Sequence, residues 1–169
     1  MVLPKINVVI LIWSQKENFM EQLSQLQQQK KISCFTLLSV SIGVVYLWFG
    51  ALKFFPHLSP AEDLAKNTIY YLTWGLIPSN IAIILLAIWE TTLGLMFITN
   101  CCRKVAIWMA LVHMACTFTP LFLFPDQAFT INAFSFTLLG QYIVKNLIIV
   151  GALWVLYQYD SSRNVVLKS

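Results

Sequence analysis

Residues 80–99 read NIAIILLAIWETTLGLMFIT, twenty residues that carry a single charge, at Glu90. About 20 predominantly apolar residues in helical conformation are enough to cross the hydrocarbon core of a bilayer. A carboxylate near the middle of such a stretch is costly in lipid, and ionisable residues at this depth usually face the interior of a helix bundle. The stretch therefore predicts a membrane-spanning helix whose Glu90 points toward other helices.

Three further stretches are long and apolar enough to span, and each is bounded by charged residues, proline or a polar cluster. They are residues 32–52, residues 105–120 or slightly beyond, and a segment within residues 134–157. Transmembrane strands would instead alternate apolar and polar residues in segments of roughly ten. We therefore predict an all-α fold, an integral membrane four-helix bundle with short interfacial helices.

The composition of the whole chain agrees with this class. Of its 169 residues, 59% are hydrophobic and 11% are charged, whereas soluble domains average about 45–50% apolar and about 25% charged residues. A soluble globule and a disordered chain are both excluded, because both need more charge. The net charge of +4 does not indicate a nucleic-acid partner, since the basic residues flank apolar stretches instead of sharing one face. The expected partner is the lipid bilayer.

The basic residues are divided unequally between the two sides of the predicted bundle. Eight of the 11 lie in the N-terminal segment, in the link between the second and third spans, and in the C-terminal tail, whereas only Lys53 and Lys66 lie in the other connections. Lysine and arginine accumulate in cytoplasmic loops. The pattern predicts a plasma-membrane protein with both termini cytoplasmic and with connections 53–79 and 121–140 outside.

The segments outside the four-span domain, which covers residues 32–157, need their own interpretation. In residues 1–31 the apolar run 6–13 is too short to span. The apolar residues of 18–31 recur at helical spacing, which favours an amphipathic helix on the inner surface. The alternative is that the chain begins at Met20, with an upstream extension before it. Residues 158–169 are expected to form a cytoplasmic tail.

The two outer connections are long for a minimal bundle. Ser59 is placed to cap a helix that begins at Pro60 and runs to about Trp74, with acidic residues in its first turn. Its aromatic residues favour a position on the outer leaflet. Residues 121–140 are apolar but interrupted by prolines, which favours an interfacial or re-entrant turn. Together the two connections are expected to cover the polar residues of the bundle.

Each predicted span carries one stripe of small and polar residues at steps of three and four. In the first two spans these stripes contain Gly43, Gly50 and Gly94. Transmembrane helices associate through such residues, because their apolar faces already have apolar partners in lipid. The glycines are therefore interpreted as packing residues, and the large apolar side chains are expected to face lipid.

Ionisable residues within the spans converge on one depth. Glu90, His113 and Lys145 each lie near the middle of a span, on the polar stripe of its helix. Lys53 ends the first span and is expected at the outer rim, where its long side chain can reach water. We predict a buried polar or ligand-binding layer whose candidate members are Glu90, His113, Gln141, Lys145 and Asn146.

Two interpretations of this layer remain open. In the first, Glu90 and Lys145 form a buried ion pair with His113 beside it, which locks the register of the bundle. In the second, the layer binds an isoprenoid quinone or relays protons, because quinone carbonyls need donors and proton uptake needs a carboxylate or imidazole. One residue can serve both roles.

Several other kinds of site are disfavoured. A transmembrane haem is usually held by paired histidines, whereas His57 and His113 are the two histidines here and lie at different depths. No metal site is expected, since the sequence has no CxxC pair and no histidine at zinc-ligand spacing. Phosphate-loop, zinc-protease and nucleophile-elbow motifs are missing from the sequence, so no catalytic residue is assigned.

Three short motifs follow one another along the chain. Residues 50–54 read GALKF, residues 90–94 read ETTLG, and residues 140–147 read GQYIVKNL, with Gly151 and Ala152 close behind. In order and spacing they resemble the DoxX-like family of four-span membrane proteins, related to DoxD and to reactive-chlorine-resistance membrane proteins. The resemblance covers roughly residues 34–157.

This resemblance implies a redox-associated membrane protein with a partner redox-enzyme subunit. The chain departs from a self-sufficient sulfur enzyme, because Cys116 lies within a span and the other three cysteines lie at the predicted cytoplasmic end. A subunit that binds quinone or relays protons near mid-membrane fits better, and whether it is itself an enzyme stays open. The alternative is a non-catalytic assembly or stress-response protein whose polar layer is structural. Assembly into a homo-oligomer is compatible with either.

Overall fold

The computed structural model describes residues 3–55, 58–59, 61–130 and 135–166, with side chains described between residues 13 and 162 of these ranges. This part of the chain holds helices and no strand, and its one isolated β-bridge joins Phe129 to Phe136. The helices are α1 Leu3–Leu52, α2 Glu62–Leu72, α3 Ser79–Thr99, α4 Arg103–Phe118, α5 Pro120–Leu123, α6 Pro125–Ala128, α7 Leu138–Val144 and α8 Asn146–Val166.

Four helical segments of the described chain are long and apolar enough to cross a membrane. They lie within Trp13–Leu52, Ser79–Thr99, Arg103–Leu123 and Leu138–Ser162. The all-α class and the four membrane-length helices predicted from the sequence are thereby confirmed. The fourth segment is interrupted at Lys145, where α7 ends and α8 begins, and the amide of Ile148 bonds the Lys145 carbonyl in a tighter turn.

The chain divides into two compact units, residues 1–37 and residues 38–169. The first unit is the N-terminal part of α1, and its residues 13–34 are exposed. The sequence predicts a separate amphipathic helix over 18–31, but α1 has no boundary there. Residues 5–42 contain neither glycine nor proline, so no backbone feature ends the helix before the span begins.

Within the second unit, α3 packs against α2 and α4, and α4 packs against α8. The centre of this unit consists of large apolar side chains without solvent exposure, contributed by three helices: Leu93, Phe97, Ile107, Leu153 and Leu156. Many other leucines, isoleucines and tryptophans of the same helices are exposed. This distribution is the one expected where lipid replaces water around a bundle.

Glycines bring the backbones of α1 and α3 together. A Cβ placed on Gly94 would lie 2.6 Å from the backbone nitrogen of Leu47, and one on Gly50 would lie 2.8 Å from the backbone nitrogen of Thr91. No side chain fits at such distances, so the packing role predicted for these glycines is confirmed. Gly151 differs, because a Cβ there would meet nothing within 4 Å.

The connections fold differently from the prediction. Ala61, not Ser59, precedes the first residue of α2, and the Ser59 carbonyl accepts a bond from the Glu62 amide at 3.2 Å. Pro60 lies outside the described residues. The second connection, predicted as an interfacial or re-entrant turn, forms the short helices α5 and α6, and each of them begins with a proline. A proline fits the first position of a helix, since its missing N–H has no partner there.

The C-terminal helix continues beyond the predicted end of the domain. Residue 157 was the expected boundary, but α8 runs to Val166 and carries Asp160 back onto the bundle. The Arg103 guanidinium at the start of α4 binds this carboxylate through two nitrogens, with Nε at 2.9 Å from Oδ2. Both side chains are largely buried. The residues predicted as the start of a free tail therefore join α8 to α4.

Candidate functional site

The second unit encloses a cavity of about 490 Å³. Its walls come from the end of α1, from α2, α3 and α4, and from the α7–α8 junction, and most of the side chains that line them are apolar. Residues of α2, together with Pro120 of α5, lie on the cavity, so the two connections cover the polar residues as the sequence predicts. The polar lining includes Tyr46, Lys53, Glu90, His113 and Lys145.

Glu90 is the central charge of this cavity. It lies on α3, is 6% exposed, and accepts a bond of 2.6 Å from the ammonium of Lys53, the first residue after α1. The same ammonium lies 3.3 Å from the Phe49 carbonyl, which it also bonds. The two side chains are 10% and 8% exposed, so the ion pair is shielded from solvent.

The sequence prediction for these charges was wrong on two points. Lys53 was expected at the outer rim and Lys145 was expected to pair with Glu90, whereas Glu90 takes Lys53 as its partner and has no contact within 4 Å with Lys145. Gly50 explains the difference, because a Cβ on it would lie only 3.0 Å from the Glu90 Cβ. The end of α1 is thus held against α3 at the level of Glu90, and the Lys53 side chain turns inward.

His113 extends this pair into a chain of polar contacts. Its Nε2 lies 3.4 Å from Oε1 of Glu90, and its Nδ1 lies 3.3 Å from the Tyr46 hydroxyl. A carboxylate only accepts hydrogen bonds, so a neutral imidazole meets both contacts with its proton on Nε2 and accepts from Tyr46 at Nδ1. The position of His113 beside Glu90 is confirmed.

Tyr46 is a member of this cluster that sequence reasoning did not select. It is 4% exposed, and its ring also packs against Phe97 of α3 at 6.2 Å between centroids. A signal for it exists in the sequence, since Tyr46 lies on the same small-residue stripe as Gly43 and Gly50. Tyr46 was omitted because the prediction considered ionisable residues and not the hydroxyl on the same helix face.

Lys145 occupies a different part of the cavity wall, at the break between α7 and α8. Its ammonium lies 3.6 Å from the centroid of the Tyr142 ring and 5.8 Å from that of Phe49. Such positions over aromatic faces attract a cation. No carboxylate in the described part of the chain lies within 4 Å of this ammonium.

The remaining predicted members of the polar layer separate into two groups. Asn146 follows Lys145 on the cavity wall. Gln141 is exposed, does not line the cavity, and donates a bond of 3.4 Å to the Phe136 carbonyl. The prediction for Gln141 is therefore wrong, because its side chain is exposed and bonds the backbone just before α7 instead of turning into the cavity.

The structure offers no cluster of three or more histidine, cysteine or acidic side chains for a metal ion among the residues it describes. His57, the histidine that the sequence places at a different depth from His113, lies outside those residues. The arrangement that remains is a chain of polar contacts, Tyr46–His113–Glu90–Lys53, at one wall of an apolar cavity. No family model, no curated protein and no solved structure matches the chain.

Proposed function

We propose that this chain is a DoxX-like, redox-associated membrane subunit whose cavity binds the head group of an isoprenoid quinone. The observation that carries the proposal is the junction of an apolar cavity with the chain of polar contacts from Tyr46 through His113 to Glu90. Ligand pockets combine apolar walls with a few placed polar groups in this way.

The volume of the cavity is large enough for one ring system but not for a whole lipid molecule. Its volume of about 490 Å³ lies within the range of roughly 300–1,000 Å³ of small-molecule sites. A quinone head group is a flat, apolar ring with two carbonyl oxygens that need hydrogen-bond donors. The ring would lie among apolar side chains such as Val45 and Leu86, with its tail left in the bilayer.

Quinone reduction consumes two electrons and two protons. We assign the delivery of the protons to the chain of polar residues. The Tyr46 hydroxyl and the His113 imidazole line the cavity in contact with each other, and Glu90 is a carboxylate directly behind the imidazole. Proton transfer by a placed imidazole needs contacts of hydrogen-bond length. We assign the electrons to the partner redox-enzyme subunit that the resemblance to DoxX-like proteins implies.

The proposed setting is the plasma membrane, with both termini cytoplasmic. The support is the eight-to-two division of basic residues between the two sides of the spans. In this orientation α2 and α5 lie on the outer side and cover the cavity from there.

The test is purification in mild detergent followed by lipid extraction and mass spectrometry. We expect quinone to co-purify with the wild type and its amount to fall about fivefold or more in His113→Leu, since losing a buried hydrogen-bonding group costs about 1–3 kcal/mol. Gln141→Leu is the matched control, because Gln141 lies outside the cavity. Quinone content that is equal in all three proteins, or missing from the wild type, contradicts the proposal.

A second function, a structural or stress-response role without a ligand, is favoured by one observation. The Lys53–Glu90 pair is short, buried and satisfied within the chain. Such pairs fix the register of packed elements in some proteins. The double variant Lys53→Met, Glu90→Gln distinguishes the two, because a structural pair can be replaced without loss of function, whereas loss of quinone from a well-folded double variant supports the redox role.

A further inference from the structure

The charges on the cavity wall do not cancel. Among the residues that the structure describes, the cavity is lined by two lysines, Lys53 and Lys145, but by a single carboxylate, Glu90. Lys53 pairs with that carboxylate at 2.6 Å. With a neutral His113, the lining therefore carries one excess positive charge, and that charge resides on Lys145.

The surroundings of Lys145 leave its hydrogen-bonding capacity available. An ammonium has three donors and no acceptor. Its near neighbours in the described chain are the ring faces of Tyr142 and Phe49. These faces attract the positive charge, but they do not accept hydrogen bonds as an oxygen atom would. A positive charge within a membrane-length helix is costly unless it finds a partner or reaches water. Lys145 is an exposed residue of the cavity wall, and the complement that its charge and donors favour there is an oxygen with negative charge.

The part of the cavity next to Lys145 opens onto an apolar surface. Ile148 lines the cavity and is 78% exposed, and Leu147 beside it is 59% exposed. Both belong to the fourth membrane-length segment, Leu138–Ser162. A ligand that reaches the cavity here arrives from the bilayer, so its body must be apolar.

We infer that the cavity selects an amphiphile with an apolar body and an anionic oxygen in its head group, and that Lys145 binds this oxygen. The inference rests on the proposed function in that it uses the same cavity, and it adds the charge of the ligand and the residue that recognises it. Two sources share this chemistry, an ionised hydroxyquinone or quinol and a long-chain carboxylate. Lys145 is then a binding residue, whereas Lys53 is a positioning residue that acts through Glu90.

The experiment compares ligands that differ in one charge. The probes are an alkylated hydroxynaphthoquinone that ionises near neutral pH, its uncharged methyl ether, and palmitate. Their dissociation constants are measured on the full-length protein in uncharged detergent micelles. The wild type should bind the ionised quinone about tenfold or more tightly than the ether, because a hydrogen bond to a charged group contributes about 1.5–3 kcal/mol.

The variants assign the preference to one residue. Lys145→Met should abolish the preference for the ionised probe, and Lys145→Arg should keep it. Lys104→Met is the matched control, since Lys104 is an exposed lysine that does not line the cavity. If Lys145→Met does not fold, the comparison of the two quinones on the wild type still shows whether the cavity prefers the ionised ligand.

The possible results distinguish a failure of this inference from a failure of the proposed function. Equal binding of ionised quinone and ether by the wild type overturns the inference and leaves the quinone proposal standing. Lys145-dependent binding of palmitate without binding of either quinone supports the anionic ligand and overturns the quinone proposal. Absence of binding by all three probes overturns both.

Discussion

The ammonium of Lys53 and the carboxylate of Glu90 lie 2.6 Å apart, although the two residues are 37 positions apart in the chain. The contact joins the end of α1 to the middle of α3. It depends on Gly50, which allows the α1 backbone to approach Thr91 and Glu90 without a side chain between them. The pair therefore couples the glycine packing of two helices to the polar wall of the cavity.

Breaking this pair from either side should destabilise the protein. We expect Glu90→Gln or Lys53→Met to lower the free energy of unfolding by about 3–5 kcal/mol, because each leaves a buried group without its partner. The double variant should recover most of this loss. Unfolding in mixed micelles measures all three, with Lys104→Met as a control of equal charge change. Losses that simply add in the double variant would contradict a direct interaction.

Glycine substitutions should separate close packing from helix propensity. Gly94→Ala is expected to cost about 1–3 kcal/mol, since its Cβ would collide with the Leu47 backbone. Gly151→Ala is the matched control, and it should be neutral or slightly stabilising, because its Cβ meets open space. Thermal unfolding followed by size-exclusion chromatography reports both. Equal losses at the two positions would refute the close contact of α1 with α3.

The link between Arg103 and Asp160 should hold the end of α8 to the start of α4. We expect Asp160→Asn to destabilise the protein by about 1–3 kcal/mol, a value between those of exposed and fully buried pairs. Arg103→Met should cost a similar amount, and the double variant less than the sum. A thermodynamic cycle from chemical unfolding measures the coupling. Zero coupling would mean that the paired geometry contributes nothing to stability.

The proposed topology is tested with reporter fusions. Fusions after Lys66 and after Asp126 should report the outer side, and a fusion after Arg103 should report the cytoplasm, since basic residues concentrate on the cytoplasmic side. An alkaline phosphatase and a fluorescent protein at each position give opposite readouts. A cytoplasmic signal after Lys66 would rule out this orientation.

The membrane-length helices could be predicted because their cause is local. Runs such as 80–99 are apolar over their whole length, and burial of the backbone in lipid permits only helices or closed barrels. The position of His113 beside Glu90 also followed from depth and helix face alone. The boundaries in the connections were less accurate: α2 begins at Glu62 and not at Pro60, and it packs against α3, a contact that the local sequence does not show.

The sequence by itself determined that this protein is a helical membrane-type chain with a few ionisable residues at one depth. Amino-acid composition and the spacing of apolar residues are enough for this, because both are local properties of the chain. Only the tertiary structure decided which charges meet. The Gly50 contact brings the end of α1 to the level of Glu90, and Lys145, at the junction of α7 and α8, lies over the rings of Tyr142 and Phe49. Both outcomes depend on how close the backbones of packed helices come, which is a property of the bundle and not of any one segment.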